Sequence, residues 1–370
     1  MLNLIIDGDY LLYSSFFSLA KDDNFYNSPD PQPLTEYALQ KLNWFTRTIE
    51  CPINNCIFVF DGSSSWRKQY KMEHRHFIYK EGRNEKQRVS LDHFKGYKKA
   101  FMSFVKKNGF ITFYSDKLEG DDWLYIVPNS PRVKEQYNLI FSGDSDLYQL
   151  LRNRTKDAAP VVQYSATEHY VISDVESVDN DSDKDFFNME VETPEDRFYN
   201  KCLSQSNLVI NPYEKMLAKI LAGDSGDKIP SVSYKSTKGG PVAFGVTSAE
   251  KFVEALSEDT EINEKYMQDL YESDSARLEM AKNITLKQKV PVSNATNISV
   301  NIKENFDMIG LTHYTLPKDY TVGGFKVVDK KVNDMEMKMI HRSLYDNRGF
   351  LDLESMANKN GFSVNVRYSI

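Results

Sequence analysis

Two short acidic motifs carry the chemistry that this sequence advertises. Glu119-Gly-Asp-Asp122 and Gly143-Asp-Ser-Asp146 place five carboxylates about one helix and one strand apart. Carboxylates this close repel one another unless some stay protonated or cations neutralise them. All-oxygen ligands suit Mg²⁺ or Mn²⁺ rather than zinc. Two further acids end apolar runs: Asp7 follows Leu2–Ile6, and Asp61 follows Cys56–Phe60. Asp224 and Asp227 sit in a glycine-rich turn, Gly223–Pro230, where they read either as part of a second metal position or as a capped loop. The bland alternatives are helix first turns favoured by the dipole, or N-caps. Acids ending three separate strands, joined by a helix-borne group, favour a convergent metal site. Asp9 reads as a cap or a solvent-facing residue.

The elements that must position these acids are legible from periodicity. Leu2–Ile6, Cys56–Phe60, Phe110–Tyr114 and Asn138–Ser142 read as short buried strands, each leading into a polar turn. Helical spacing marks Leu34–Ile49, with Trp123–Val127, Leu147–Leu151 and Pro212–Ala222 as further helices. Val161–Tyr164 and His169–Ile172 read as a hairpin at the sheet's edge. Residues 22–33 read as loop, and residues 252–370 as mainly helical, with Phe350, Leu351, Leu353 and Met356 as core. The pattern is α/β: a central, mostly parallel sheet flanked by helices, with the acids at the C-terminal strand ends where such folds bind ligands.

Charge is unevenly spread along a chain of net charge −7. Residues 63–109 hold 13 basic residues against 4 acidic ones, a net of +9. Aromatics such as Trp66, Tyr70, Tyr79, Phe94 and Tyr97 are interleaved with them. That combination suits a nucleic-acid backbone and its bases, with a solvated helical face as the alternative. From this stretch Arg67, Lys68, Tyr79, Lys80, Arg83, Lys86 and Arg88 are the expected contacts. His74, His76 and His93 read as surface or phosphate-contact residues. Residues 174–196 carry ten acids and one lysine, and read as a mobile surface excursion. Gly239–Lys251 reads as a glycine turn into a helix N-terminus, with Gly245, Thr247, Ser248 and Lys251 offered to a phosphate. Three cysteines without ligand spacing suggest a reducing compartment. No signal peptide or membrane span is visible, so a cytoplasmic location is expected, in the host cytoplasm if the gene is phage-borne.

In order, strand-Asp7, strand-Asp61, Tyr79-Lys80-x-x-Arg83, Glu119-x-Asp121-Asp122, Gly143-Asp144-x-Asp146 and Gly223-Asp224-x-x-Asp227-x-Ile-Pro resemble the 5′-nuclease family of flap endonucleases and 5′→3′ exonucleases. Within it, Gln163-Tyr-Ser165 and the long polar stretch after Asp227 are similar to the branch of T-even bacteriophage ribonucleases H. The resemblance implies a PIN-like nuclease domain over 1–210, with a basic helical arch at 63–109. It implies a helical DNA-binding region over 211–370 with a helix–turn–helix element near 223–257. It further implies two Mg²⁺ ions, with Mn²⁺ as a substitute. Asp7, Asp61, Glu119, Asp121 and Asp122 match the acids of the first ion; Asp144, Asp146, Asp224 and Asp227 match those around or beyond the second. Lys80 and Arg83 match the arch pair that contacts the scissile phosphate, and K⁺ is implied at the helix–turn–helix element. Departures are the longer segment between Asp227 and Gly245, with Lys235 and Lys238, and the acidic stretch at 174–196.

The activity so implied is hydrolysis of phosphodiesters near 5′ ends of flaps, nicked duplex DNA and RNA primers on DNA, as in lagging-strand primer removal. The implied partners are DNA, RNA–DNA hybrids and a single-strand-binding protein or sliding clamp, with the chain a monomer. Two rival readings remain at this point: a non-catalytic protein that binds branched DNA, and a PIN-type ribonuclease.

Overall fold

The computed structural model describes residues 2–19, 30–49, 51–70, 79–80, 88–108, 110–130, 133, 135–155, 158–174 and 193–316. Residues 22–29 of the expected loop, most of the acidic stretch, and Phe350, Leu351, Leu353 and Met356 lie outside them.

The described chain begins with β1 (Leu2–Asp7), α1 (Gly8–Leu19), α2 (Gln32–Thr48) and β2 (Ile53–Phe60). A 3₁₀ turn at Trp66–Gln69 precedes α3 (Arg88–Lys107), β3 (Ile111–Tyr114), α4 (Gly120–Asn129) and β4 (Tyr137–Phe141). After a second 3₁₀ stretch, Ser145–Leu150, come β5 (Val161–Ser165), β6 (His169–Ser173), α5 (Pro194–Ser204) and β7 (Ser206–Ile210). The C-terminal region holds α6 (Pro212–Ala222), a separate hairpin of β8 (Tyr234–Thr237) and β9 (Gly240–Ala243), α7 (Val246–Ser257), α8 (Glu264–Glu272), α9 (Asp274–Gln288) and α10 (Ala295–Ile309).

The seven-stranded sheet runs β3-β2-β1-β4-β5-β6-β7, with the first five strands parallel. Its central strands are apolar on both faces, as parallel strands covered by helices must be. Leu4, Ile6, Phe58, Phe60, Leu139 and Phe141 pack on one side. Ile5, Ile57, Val59 and Ile140 pack on the other, against Trp123 and Leu124 of α4. A third core joins α6 to α10 and buries Phe244 and Phe306.

Polar residues inside the sheet set its register. Asn3 lies opposite both Asn55 and Asn138. Asn3 Nδ2 donates to Asn138 Oδ1 at 3.1 Å, and Asn55 Nδ2 donates to Asn3 Oδ1 at 2.7 Å. A one-residue slip would break this ladder and turn every side chain to the wrong face.

Three expectations change. The β5–β6 hairpin is not the sheet's edge, because β7 pairs in parallel outside β6. β7 alternates half-buried and exposed positions over five residues, too short and polar a run to announce itself. Leu147–Leu151 does not begin an α-helix; it belongs to the 3₁₀ stretch, which Leu151 ends in extended conformation. The end of the acidic stretch is not a surface excursion either. Thr193 and Asp196 form a reciprocal capping box that starts α5.

The asparagine ladder makes a direct prediction. Asn3→Val removes both cross-strand bonds and leaves the buried Asn138 amide oxygen without its donor. The cost should be about 2 kcal/mol, read as a lower urea midpoint at unchanged slope. An unchanged midpoint would mean that the apolar pattern alone holds the register.

Candidate metal and nucleic-acid site

Because β2, β1 and β4 are neighbours and end level, their C-terminal ends deliver Asp7, Asp61 and the Ser142–Asp146 loop to one place. Helix α4 adds Asp121 from its first turn. Asp7 is buried; its Oδ1 accepts the Tyr10 backbone N–H at 2.9 Å and its Oδ2 accepts the Ser142 hydroxyl at 2.9 Å. Asp61 Oδ1 accepts the Gly120 N–H at 2.6 Å, which docks the start of α4 on the end of β2. Asp121 makes no hydrogen bond among the described residues. Burial, then the charges of Asp144, Asp61 and Asp7, push its carboxyl well above the usual range. Asp7 is likewise pushed up to about 7, by burial first and then by Asp9 and Asp61, against the Tyr10 and Ser142 hydrogen bonds.

The remaining acids are held by cations. Lys219 of α6 ion-pairs with Asp146, and with Asp224 at 3.0 Å. Asp224 is accordingly held below its usual value, Lys219 outweighing the effect of burial. Lys80 stands 3.3 Å from Glu119 and 3.7 Å from Asp227. The Tyr79 hydroxyl lies 2.9 Å from Glu119 Oε2 and 2.7 Å from Asp227 Oδ2. Lys80 takes a left-handed backbone, φ 58°, and its N–H donates to the Asp227 carbonyl at 3.0 Å. Residues 79–80 of the expected arch are thereby tied to the Gly223–Pro230 turn. A cleft lined by Glu119, Asp121, Asp146, Asp224, Asp227 and Lys219 opens between these groups.

The structure separates some residues that the sequence grouped. Asp122 is fully buried and shares Arg67 with Glu119. Its Oδ1 pairs with Arg67 at 2.7 Å, and its Oδ2 accepts the Glu119 N–H in a capping box. Arg67, expected on the nucleic-acid surface, is instead 3% exposed. It also donates to the Met308 carbonyl at 3.0 Å. Burial alone would lower its pKa, but Asp122 and Glu119 outweigh it and keep the guanidinium charged. Tyr79 is buried in the C-terminal core and presents no face for stacking. Asp9 does not face solvent: it is buried, accepts the Asp61 N–H at 2.7 Å and pairs with Lys98 at 2.8 Å. Lys68 is exposed and donates to the Ser63 carbonyl. Arg83, Lys86, His74, His76 and the side chains of Arg88 and His93 lie outside the described residues. Thr247, Ser248 and Lys251 are exposed at the start of α7, where Gly245 is the N-cap.

Gln163 is the residue that reading the sequence undervalued. It is wholly buried on β5. Its Nε2 donates to the Ser142 carbonyl at 2.9 Å and to the Asp144 carbonyl at 2.8 Å, while Oε1 has no partner among the described residues. Both donors are committed to the loop that presents Asp144. The Ser142 hydroxyl completes the brace, contacting Asp7 on one side and accepting the Asp144 N–H at 3.2 Å on the other. Gly143 is required there, because a Cβ would meet the Tyr10 ring at 2.6 Å. A glutamine inside the apolar run Val161–Ser165 was the available signal: a buried amide needs a partner.

Among the described residues, no three carboxylate, histidine or cysteine side chains close around one point as they stand. The donors nevertheless fit a hard divalent cation. They are all oxygens, Asp144 is exposed, and Asp121 has three like-charged neighbours and no hydrogen bond.

Residues 2–181 match the family model described as the 5′-3′ exonuclease N-terminal resolvase-like domain. No curated protein matches the sequence. Among solved structures, a bacteriophage T5 5′-exonuclease with bound zinc ions is 16% identical, covers 94% of this chain and 100% of its own, and superposes with a TM-score of 0.51. A bacteriophage T5 protein co-crystallized with metal ions is 15% identical, with 92% and 99% covered and a TM-score of 0.53. A T5 flap endonuclease variant in a pseudo-enzyme–product complex with DNA and metal ions is 16% identical, with 92% and 100% covered and a TM-score of 0.51. At these identities the likeness is one of fold.

Two predictions follow from the carboxylates and their brace. Asp7 ionises at its ordinary value when unfolded but near 7 when folded. Between those pH values the folded chain holds a proton that the unfolded chain lacks, so metal-free stability falls as pH rises. Asp7→Asn should therefore stabilise the metal-free protein at pH 8, by roughly 1–4 kcal/mol, and lose that advantage near pH 4. An advantage that did not change with pH would sink this account. Gln163→Leu should leave the protein folded but weaken Mn²⁺ binding by about 10-fold, measured by titration calorimetry. Unaltered affinity would make Gln163 a packing residue only.

Proposed function

We propose, from the match of residues 2–181 to the 5′-3′ exonuclease N-terminal resolvase-like domain, that this chain is a 5′-nuclease: a divalent-metal-dependent 5′→3′ exonuclease and flap endonuclease. Its substrates are flaps, nicked duplex DNA and RNA primers paired with DNA, and its place is primer removal in phage DNA replication. One observation carries the reading. Asp7, Asp61, Asp121 and Asp144 converge from three strand ends and one helix and repel one another, and among the described residues the Asp121 carboxylate accepts no hydrogen bond.

Those four residues would hold Mg²⁺ or Mn²⁺, with Glu119, Asp146, Asp224 and Asp227 around or beyond a second position. The bound ions would supply Lewis-acid stabilisation of the phosphate and a water acidic enough to attack at neutral pH. The chain's own residues do the rest. Gln163 and Ser142 keep Asp144 in place. Lys80, over the Tyr79 ring at 4.7 Å, holds positive charge beside the carboxylates, where Arg83 would join it on the scissile phosphate. Lys80 is kept charged; burial works against this, but Glu119 and Asp227 prevail. The exposed start of α7, with Thr247, Ser248 and Lys251, suits the backbone of the duplex. Asp122 and Arg67 are assigned to support rather than to contact with ions or nucleic acid. A single-strand-binding protein or a sliding clamp is the partner that a replication role calls for. No helix among the described residues is long and apolar enough to cross a membrane.

The decisive assay is a 5′-labelled flap substrate with and without Mg²⁺, comparing wild type with Asp144→Asn. A short 5′ fragment should be released only with metal, and the variant should lose at least roughly 100-fold in rate. Tight, metal-independent binding without product would instead establish a non-catalytic binder of branched DNA.

A further inference from the structure

The acids of the cleft do not all face the same kind of donor. Asp7 accepts from neutral groups, the Tyr10 N–H and the Ser142 hydroxyl, and Asp61 Oδ1 accepts the Gly120 N–H. On the other side of the cleft, the partly buried Lys219 reaches between Asp146 and Asp224 and ion-pairs with both. A cation of the chain itself therefore stands where two acids of the second metal position meet.

Both carboxylates are presented on fixed backbone. The Asp224 N–H donates to the Ile229 carbonyl at 2.9 Å, and the Ile229 N–H donates to the Asp224 carbonyl at 2.7 Å. Asp224 Oδ1 accepts the Gly226 and Asp227 N–H groups at 2.7 and 3.2 Å, which leaves Oδ2 to Lys219. The Asp146 N–H donates to Asp144 Oδ1 at 2.8 Å, and the Asp146 carbonyl accepts Gln149 Nε2 at 2.8 Å. Gln149 in turn bonds the Ile309 carbonyl and the Leu311 N–H at the end of α10. The helix that bears Lys219 is held as firmly. Leu217, Ile220 and Leu221 are wholly buried, and Asn305 donates to the Ile220 carbonyl at 2.7 Å. The part of this arrangement that can move without disturbing the fold is the ammonium on its four-carbon stem.

An ammonium and a divalent ion cannot share these two carboxylates. The cations repel at contact distance, and a hard divalent ion needs the same oxygens. We propose that Lys219 is an internal cation that gates the second metal position. One divalent ion binds first, at Asp7, Asp61, Asp121 and Asp144, and a second enters beside Asp146 and Asp224 only by displacing the Lys219 ammonium. This inference rests on the metal-dependent nuclease reading and deepens it, by naming the residue that sets the order and affinity of the two ions.

The test counts Mn²⁺ bound to the full chain without nucleic acid, from the electron paramagnetic resonance of the free ion. Mn²⁺-dependent flap cleavage is followed on the same preparations. Wild type should bind one ion tightly and a second at least roughly 10-fold more weakly. Lys219→Met keeps the stem and removes the charge; it should tighten the second ion roughly 10-fold and the first far less. Lys219→Gln, a second neutral variant, should give the same gain should the methionine variant not fold. Lys219→Arg keeps the charge and should bind as wild type does. Adding Asp146→Asn to Lys219→Met should remove the gain, which would place it at this position. In EDTA, Lys219→Met should melt below wild type, because the two carboxylates then face each other unpaired, and Mn²⁺ should raise its melting point more than it raises that of wild type. A second ion no tighter in either neutral variant, with flap cleavage by the wild type intact, would overturn the gate and leave the nuclease standing. Two ions of equal affinity in the wild type would also overturn it. Absence of both Mn²⁺ binding and cleavage in the wild type would overturn the nuclease reading and the gate together.

Discussion

The parallel register of β2, β1 and β4 is the constraint on which the site depends. Asp7, Asp61 and Asp144 lie far apart in sequence and on three different strands or strand ends. They meet only because these strands are neighbours and finish level. At the opposite end of the same strands, the Asn3–Asn55–Asn138 ladder fixes that level alignment. Burial on both faces supplies most of the stabilisation but tolerates alternatives, because neighbouring apolar residues resemble one another. A buried amide does not tolerate them, since each unpaired group costs about 1–3 kcal/mol.

Concentrating negative charge at one sheet edge creates a cost that the rest of the fold distributes. Four cations take part, three of them from the basic segment 63–109 and one from α6. Arg67 pairs with Asp122, Lys80 with Glu119 and Asp227, Lys98 with Asp9, and Lys219 with Asp146 and Asp224. Asp7, Asp61 and Asp144 still repel Asp121, whose carboxyl is pushed well above the usual range by burial and by their charges. This division separates acids that serve structure from acids available to a cation. It also changes the meaning of the basic segment 63–109, because Arg67, Lys80 and Lys98 spend charge internally. A sum over sequence therefore overstates what that segment offers a nucleic acid.

The same interactions connect the sheet to the C-terminal helices. Arg67 joins α4 to the Met308 carbonyl at the end of α10. Nearby, Asp307 accepts hydroxyls from Tyr70 at 2.7 Å and Tyr271 at 2.8 Å. Tyr79 belongs to the C-terminal core yet bonds Glu119 and Asp227. Residues 67–70 and Tyr79 of the basic segment thus join the sheet to the C-terminal helices, so the Asp224–Asp227 turn is held beside Glu119.

By itself the sequence determined the fold class, the four central parallel strands, the strand-end positions of Asp7 and Asp61, and the acidic motifs of α4 and the β4 loop. These are local properties: apolar runs of fixed period, turn residues, and acids next to them. Tertiary structure alone decided which acids face one another. Asp121 and Asp122 are adjacent, but a helix points them about 100° apart, and only the position of Arg67 gives Asp122 its inward role. Periodicity likewise carried no sign that Lys219 and Asp146, Tyr79 and Asp227, or Gln163 and Asp144 would meet. Those contacts join segments 19 to 148 residues apart, and a pairwise hydrogen bond or ion pair leaves no repeating pattern in either segment. The five-residue β7 and the exposed β8–β9 ribbon escaped for a related reason. Neither buries enough apolar surface to impose a pattern, and each is ordered by neighbours that the chain supplies only once folded.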